Sequence, residues 1–283
     1  MKVIIGSANF SNKYGISNYK ISSIQELKRI ISYCKKNGIN CIDDAISYGN
    51  IDSVFKKIDT KNLNFITKIK LPKNYKLIKN LKLYFLDIIR ESLKILGKKK
   101  YSCLLAHEVS SNKKKNILIL DVLNFIKKKK LTNKIGISAY NPKEVYSMLN
   151  LTKLDVVQVP INIFDRRLIN SELINLLIKK KIEIQARSIF LQGALIAKKT
   201  PLKLKKYDSS FKDWQKWCFK RKLNKVKACI HFIKKLNKIS SVVIGINDIK
   251  QLREIIKFLK EKTIDISYDN ILKNNDILDP RKW

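Results

Sequence analysis

Tyr101-Ser102-Cys103-Leu104-Leu105-Ala106-His107 is a short apolar run that ends on a histidine. A run of this length suits a strand buried on both faces and is short for a helix. Upstream, residues 81–96 repeat apolar side chains at spacings of three and four, and Gly97 follows, which predicts a helix with a glycine stop. Downstream, the apolar stretch 117–126 runs into Lys127-Lys128-Lys129-Lys130, and a second short apolar run occupies 134–138. Cations in a last helical turn face the negative end of the helix dipole, so the lysine run marks a helix end.

The same alternation continues in both directions. Candidate strands are 3–7, 40–43, 64–68, 101–106, 134–138, 155–159, 183–187 and 241–245. Helix signals lie between them. Ser22 and Ser23 precede a turn containing Glu26, Asn37-Gly38 closes that helix, Asn141-Pro142 opens another, and 251–259 is the last clear periodic segment. Strands alternating with helices predict an α/β protein with a parallel sheet. Eight repeats predict closure into a single-domain (β/α)8 TIM barrel spanning 1–283. An open doubly wound sheet is the alternative, and the lack of a G-x-G-x-x-G after the first strand argues against it. The stretch 191–240 exceeds one βα unit and predicts a loop and helix insertion there.

The composition narrows the function classes. The chain has 283 residues, 45% of them hydrophobic, enough for a core and against a disordered or collagen-like chain. Lys plus Arg is 60 against 23 Asp plus Glu, a formal charge of +37. Lysine is spread along the whole chain, so the charge reads as a solvated surface that attracts anionic small molecules. No helix-turn-helix, RNP-like or zinc-finger pattern accompanies it, so nucleic acid is not an expected partner. No apolar run reaches the roughly 20 residues of a membrane span, and the start lacks a signal-peptide pattern. The five cysteines, Cys34, Cys41, Cys103, Cys218 and Cys229, form no C-x-x-C pair and read as reduced thiols of a cytoplasmic protein. His107 and His231 have no metal-ligand spacing, so no metal is expected.

Functional side chains of a barrel sit at the C-terminal ends of its strands. Asp43 ends the second run and Tyr48 follows it, Lys68 ends the third, and His107 follows the fourth.

These four positions, with Gly6-Ser7-Ala8-Asn9-Phe10, Tyr14-Gly15-Ile16, Ile42-Asp43-Asp44-Ala45-Ile46-Ser47-Tyr48-Gly49, Ile135-Gly136-Ile137-Ser138, Val157-Gln158-Val159-Pro160, Arg187-Ser188-Ile189-Phe190-Leu191-Gln192-Gly193 and Val243-Ile244-Gly245, resemble the aldo-keto reductase superfamily across nearly the whole chain. The nearest likeness is a bacterial branch with Tyr-Gly-Ile near its start and Arg-Ser-x-Phe-Leu-Gln-Gly after the seventh strand. The resemblance implies a barrel that binds a nicotinamide cofactor and reduces an aldehyde or ketone, with a sugar or nucleotide-sugar derivative suggested by the branch. It implies catalytic Asp43, Tyr48, Lys68 and His107. Carbonyl reduction needs a proton for oxygen, which a free tyrosine, with pKa near 10, yields reluctantly at neutral pH. In the implied arrangement the Lys68 ammonium is expected to lower the Tyr48 pKa, Asp43 orients Lys68, His107 hydrogen-bonds the carbonyl oxygen and Tyr48 is the general acid. The resemblance implies cofactor contacts from Ser138 and Gln158 at the carboxamide, Arg187 at the ring, Ser188 and Gly193 at the pyrophosphate, and Gly245, Asn247 and Gln251 toward the adenosine. NADPH is the implied cofactor and NADH the alternative, since the usual 2′-phosphate clamp is missing and only Lys250 and Arg253 stand near. The chain departs from the family at Ala139, where Asn is common, at Arg187, where Tyr commonly stacks, and at Asp44, where Thr is common. A cofactor-binding regulatory protein on the same fold is the alternative function. Oligomeric state is not legible. Asn162, Asp165, Arg166 and Arg167 read as loop-shaping, Trp214 and Trp217 as packing, and His231 as structural.

Overall fold

The computed structural model describes residues 1–11, 15–16, 22–49, 51–268 and 275–283, without the side chains of Asp52 and Asn275. Tyr14 of the N-terminal motif lies outside the described residues. Eight strands are present: β1 (Lys2–Gly6), β2 (Cys41–Asp43), β3 (Asn64–Ile69), β4 (Tyr101–Ala106), β5 (Thr132–Ser138), β6 (Val156–Pro160), β7 (Glu183–Arg187) and β8 (Ser241–Gly245). All are parallel to their neighbours in sequence order, and β8 pairs back onto β1 from Lys2↔Ser241 to Gly6↔Gly245, closing the barrel.

The helices are α1 (Ala8–Ser11), α2 (Ile24–Lys36), α3 (Ile51–Phe55), α4 (Leu81–Leu96), α5 (Lys113–Lys128), α6 (Pro142–Leu149), α7 (Leu173–Lys179), α8 (Asp208–Lys220), α9 (Lys225–Lys235) and α10 (Ile249–Lys260). Their ends follow local chemistry. Ser23 accepts from the Glu26 amide to start α2, Asn80 from Leu83 to start α4, and Asn141 from Glu144 to start α6 with Pro142 in its first turn. The lysine run closes α5, with Lys127 paired to Asp155 at 2.5 Å. The segment between β7 and β8 carries two 3-10 turns (Leu191–Gly193 and Leu202–Tyr207) and then α8 and α9. Trp214 of α8 is buried, stacks on Trp217 at 5.5 Å and donates its indole N–H to the Leu195 carbonyl, which is packing.

Strand parity decides what fills the barrel and what crowns it. Ile4, Ile66, Cys103, Leu105, Val156 and Val243 form the inner cluster. Their neighbours Ile5, Leu104, Val157 and Ile244 face the helices and join the larger core. Side chains alternate along a strand, so the residue two positions beyond an inner one also points inward, one layer nearer the C-terminal rim. That rule selects Lys68 after Ile66, His107 after Leu105, Gln158 after Val156 and Gly245 after Val243. Asp43 follows Cys41, which packs against the same cluster. Gly136 sits where β5 and β6 approach most closely. A Cβ there would lie 2.1 Å from the Val156 carbonyl oxygen, so only glycine fits. Among the described residues no helix is long and apolar enough to cross a membrane.

Candidate active site

The C-terminal ends of the strands surround a cavity of about 750 Å³, and all twelve residues singled out in the sequence line it: Asp43, Tyr48, Lys68, His107, Ser138, Gln158, Arg187, Ser188, Gly193, Gly245, Asn247 and Gln251. At its floor Lys68 donates to Asp43 Oδ1 and, at 2.9 Å, to the Asp44 carbonyl oxygen. The other Asp43 oxygen accepts from Gln158 Nε2 at 2.7 Å, and Gln158 Nε2 also reaches Gln185 Oε1 at 3.1 Å. Lys68 and Asp43 are almost wholly shielded from solvent, so their mutual attraction offsets the cost of desolvating the pair.

Tyr48 leaves β2 on the 3-10 turn Ile46–Tyr48. Its ring lies 5.6 Å from the Lys68 ammonium and meets the His107 ring edge-on at 5.8 Å. His107 Nδ1 lies 3.1 Å from Ser47 Oγ. Burial, reinforced by Lys68, Lys70 and Arg187, depresses the His107 pKa to about 3, so the imidazole is neutral at physiological pH. Burial, with the Asp43 and Asp44 carboxylates, raises the Tyr48 phenol above its ordinary value, while Arg187 opposes them. The sequence reading expected Lys68 to lower that pKa, and the shift runs the other way. The Lys68 charge is taken up by Asp43, and desolvation dominates. Tyr48 therefore carries its proton at neutral pH and is a weaker acid than a free tyrosine.

Asp44 points away from the cavity and accepts from Ser7 Oγ at 2.8 Å. Burial lifts its pKa from 3.8 to about 7 against that hydrogen bond. A raised carboxyl pKa means that the folded state holds the proton more tightly. The stability it contributes is full below pH 4 and is lost as pH rises through 7. His107 acts oppositely, with stability lost as pH falls below 6.5. Asp44→Asn keeps an acceptor for Ser7 without the buried charge. It is expected to leave stability unchanged at pH 4 and to raise it at pH 8 by about 2–4 kcal/mol, at roughly 1.4 kcal/mol per pKa unit. Urea unfolding at pH 4, 6 and 8 measures this, and an equal effect at all three would contradict the buried-carboxyl account.

Above the floor the β7 end and its loop form one wall. Ser188, Leu191 and Gln192 have positive φ (55°, 48° and 52°), as does Gly193 at 93°, so the loop is held in a shape that non-glycine residues rarely adopt. Asn162 Nδ2 fastens it through the Ser188 carbonyl at 3.0 Å, and Asn162 Oδ1 accepts from the Phe164 and Asp165 amides. Asp165 pairs with Arg167 at 2.7 Å. The 162–167 segment thus shapes the rim without lining the cavity. On the β8 side the Asn247 amide donates to Gln251 Oε1 at 2.9 Å, and the Asn247 side chain pairs with Asn9. Neither Lys250 nor Arg253 lines the cavity, and Arg253 instead lies over the Tyr33 ring of α2 at 5.6 Å. His231 is bound by Phe258 and Ile264 backbone groups far from the site, consistent with its structural reading.

Several partners were not legible. Ser47 meets His107, Gln185 braces Gln158, and Tyr140, Lys198 and Lys199 line the cavity. Three buried polar atoms of lining residues, Asn9 Oδ1, Gln158 Oε1 and Arg187 Nε, have no protein partner among the described residues. An orphaned acceptor at the floor and an orphaned donor on the wall are what a polar ligand would satisfy, and a nicotinamide carboxamide fits the acceptor.

A closed parallel barrel whose ionisable groups converge at the C-terminal rim defines an enzyme of the TIM-barrel class. The chain belongs to the Aldo/keto reductase family, whose sequence model matches residues 2–273. It is therefore an oxidoreductase of carbonyl chemistry. Among solved structures it is similar to an aldo-keto reductase from Bacillus halodurans in its holo form, with 14% identity, TM-score 0.69 and coverage of 96% of this chain and 94% of that one. It is also similar to the glycerol dehydrogenase of Gluconobacter oxydans, with 16% identity, TM-score 0.68 and coverage of 93% and 87%. At these identities the likeness speaks to the fold. No curated protein sequence matches the chain.

Proposed function

We propose that this protein reduces an aldehyde or ketone with NAD(P)H, using Tyr48 as the proton donor. The observation that carries the reading is the convergence of Tyr48, His107 and the Lys68–Asp43 pair at the floor of one cavity, beside the orphaned Gln158 acceptor. The cofactor, when bound, supplies a hydride to the carbonyl carbon. The chain's own residues manage the oxygen. Tyr48 donates to it and transfers its proton as negative charge develops there, giving the alcohol. The remaining phenolate is stabilised by Lys68 and Arg187 until solvent returns a proton. Ser47 Oγ lies within hydrogen-bond reach of His107 Nδ1, and in the tautomer where that hydroxyl donates, the neutral imidazole carries its proton on Nε2 and gives the carbonyl oxygen a second hydrogen bond. Asp43 holds Lys68 in place.

Ser138 and Gln158 would hold the carboxamide, the Ser188–Gly193 loop the pyrophosphate, and Gly245, Asn247 and Gln251 the adenosine side. NADPH is the proposed cofactor, with NADH as a competent second. The substrate is a small carbonyl compound, a sugar or nucleotide-sugar derivative foremost, and the setting is cytoplasmic. Titration with NADPH and NADH, followed by quenching of tryptophan emission, tests the reading. Saturable micromolar binding is expected. Absence of binding by either nucleotide at low salt would overturn it, and tight binding without turnover of any carbonyl would favour a regulatory role.

A further inference from the structure

Arg187 is a cation without a carboxylate. It ends β7, is half-buried and faces the cavity, and among the described residues it makes no ion pair. Its Nη2 donates to the Ala139 carbonyl at 3.1 Å and its Nη1 to Ser188 Oγ at 3.3 Å, while Nε is buried without a partner. A guanidinium carries two N–H groups on each Nη, so one on Nη1 and one on Nη2 remain for a ligand. The group is also held rigid. Its Cζ lies 4.4 Å from the Tyr140 ring centroid, and Arg281 Cζ lies 4.1 Å from the same centroid, so one ring contacts both guanidinium groups. Arg281 is anchored in turn by Glu144 at 2.9 Å and Asp279 at 2.7 Å. Arg281 has its counter-charges and Arg187 has none.

The lining as a whole carries Lys68, Arg187, Lys198 and Lys199 against Asp43 alone, and Asp43 is taken by Lys68. A partly desolvated, preorganised guanidinium with free donors is a fork for a planar or tetrahedral anion. Its charge is felt by both Tyr48 and His107, which places it beside the reacting centre.

We propose that Arg187 is a substrate-specificity residue that binds a carboxylate or phosphate carried by the carbonyl substrate. This rests on the reductase reading and adds to it a substrate class, the anionic aldehydes and ketones. The Tyr140 ring and the hydrogen bonds to Ala139 and Ser188 hold the fork at the cavity wall.

The test uses matched pairs with the full-length protein and NADPH: glyceraldehyde 3-phosphate against glyceraldehyde for the phosphate, and succinic semialdehyde against butanal for the carboxylate. At least one anionic member is expected to exceed its neutral partner in kcat/KM by about tenfold or more, the worth of one charge-assisted contact. Arg187→Gln is expected to bring that ratio below about threefold, and Arg187→Lys, which keeps charge without the fork, to leave it between. The pair that responds identifies the anion. A ratio near one in the wild type, or one untouched by Arg187→Gln, would overturn the proposal. So would a loss of NADPH affinity in Arg187→Gln with the ratio intact, which would assign the fork to the cofactor's own phosphates. If NADPH binds but no carbonyl turns over, the reductase reading fails by itself. Calorimetric titration of succinate and inorganic phosphate into the NADPH-loaded protein then decides the subsite. Binding lost in Arg187→Gln supports it, and equal binding or none in both proteins refutes it.

Discussion

Tyr48→Phe is expected to lower kcat for carbonyl reduction by about 10²–10⁴-fold, the usual worth of a positioned general acid. The substitution removes one oxygen and keeps the ring that meets His107 and lies near Lys68. Cofactor affinity should therefore change by less than about threefold, since the residues proposed to hold the nucleotide lie on β5 to β8 and their loops. Loss of transition-state stabilisation alone lowers kcat and kcat/KM together. Steady-state kinetics with a saturating reduced nucleotide reads this directly. A variant that retained full carbonyl-reducing activity would remove Tyr48 from the mechanism. The raised pKa sharpens the expectation. In a site that holds the phenol protonated, no neutral-pH population of phenolate exists to be lost, so the whole effect should appear as a missing donor.

What was legible beforehand follows a physical boundary between local and long-range information. A short apolar run that ends in a polar residue announces both a strand and an inward-facing rim residue, because parity and the layer structure of a barrel are properties of the strand itself. Lys68 and His107 were readable for that reason. Caps were readable because Ser23, Asn141 and Gly97 act within one turn of chain. Tyr140 was not, because its importance comes from Arg187 and Arg281, which reach it from the end of β7 and from the last residues of the chain. Gln185 was hidden inside an ordinary strand and matters only because Gln158 stands beside it on the neighbouring strand β6. Arg253 was near the adenosine side in sequence, but the geometry of α10 turns it onto Tyr33. The direction of the Tyr48 shift was misread because a sequence shows which charges are close and not how far each is already neutralised.

That last point leads to a test of Lys68 in which stability and catalysis separate. Lys68→Met removes the ammonium and leaves Asp43 as a buried carboxylate with Gln158 Nε2 as its remaining side-chain donor among the described residues. Breaking one half of a buried ion pair typically costs about 3–5 kcal/mol, because the other charge stays desolvated and uncompensated. For a chain of this size that corresponds to a fall in Tm of roughly 10 °C. Activity should fall as well, since the phenolate left after proton transfer would lose its nearest buried cation. Neutralising the orphaned charge in Lys68→Met/Asp43→Asn addresses the first loss and not the second. Replacement of both partners of a buried pair is often close to neutral for stability, so the double variant should regain more than half of the lost unfolding free energy by urea titration. Its kcat should stay at the level of the single variant. If activity returns along with stability, Lys68 serves the fold alone and the ammonium has no part in proton transfer. If stability does not return, the Asp44 carbonyl oxygen, which also accepts from Lys68, is the partner whose loss the fold cannot absorb.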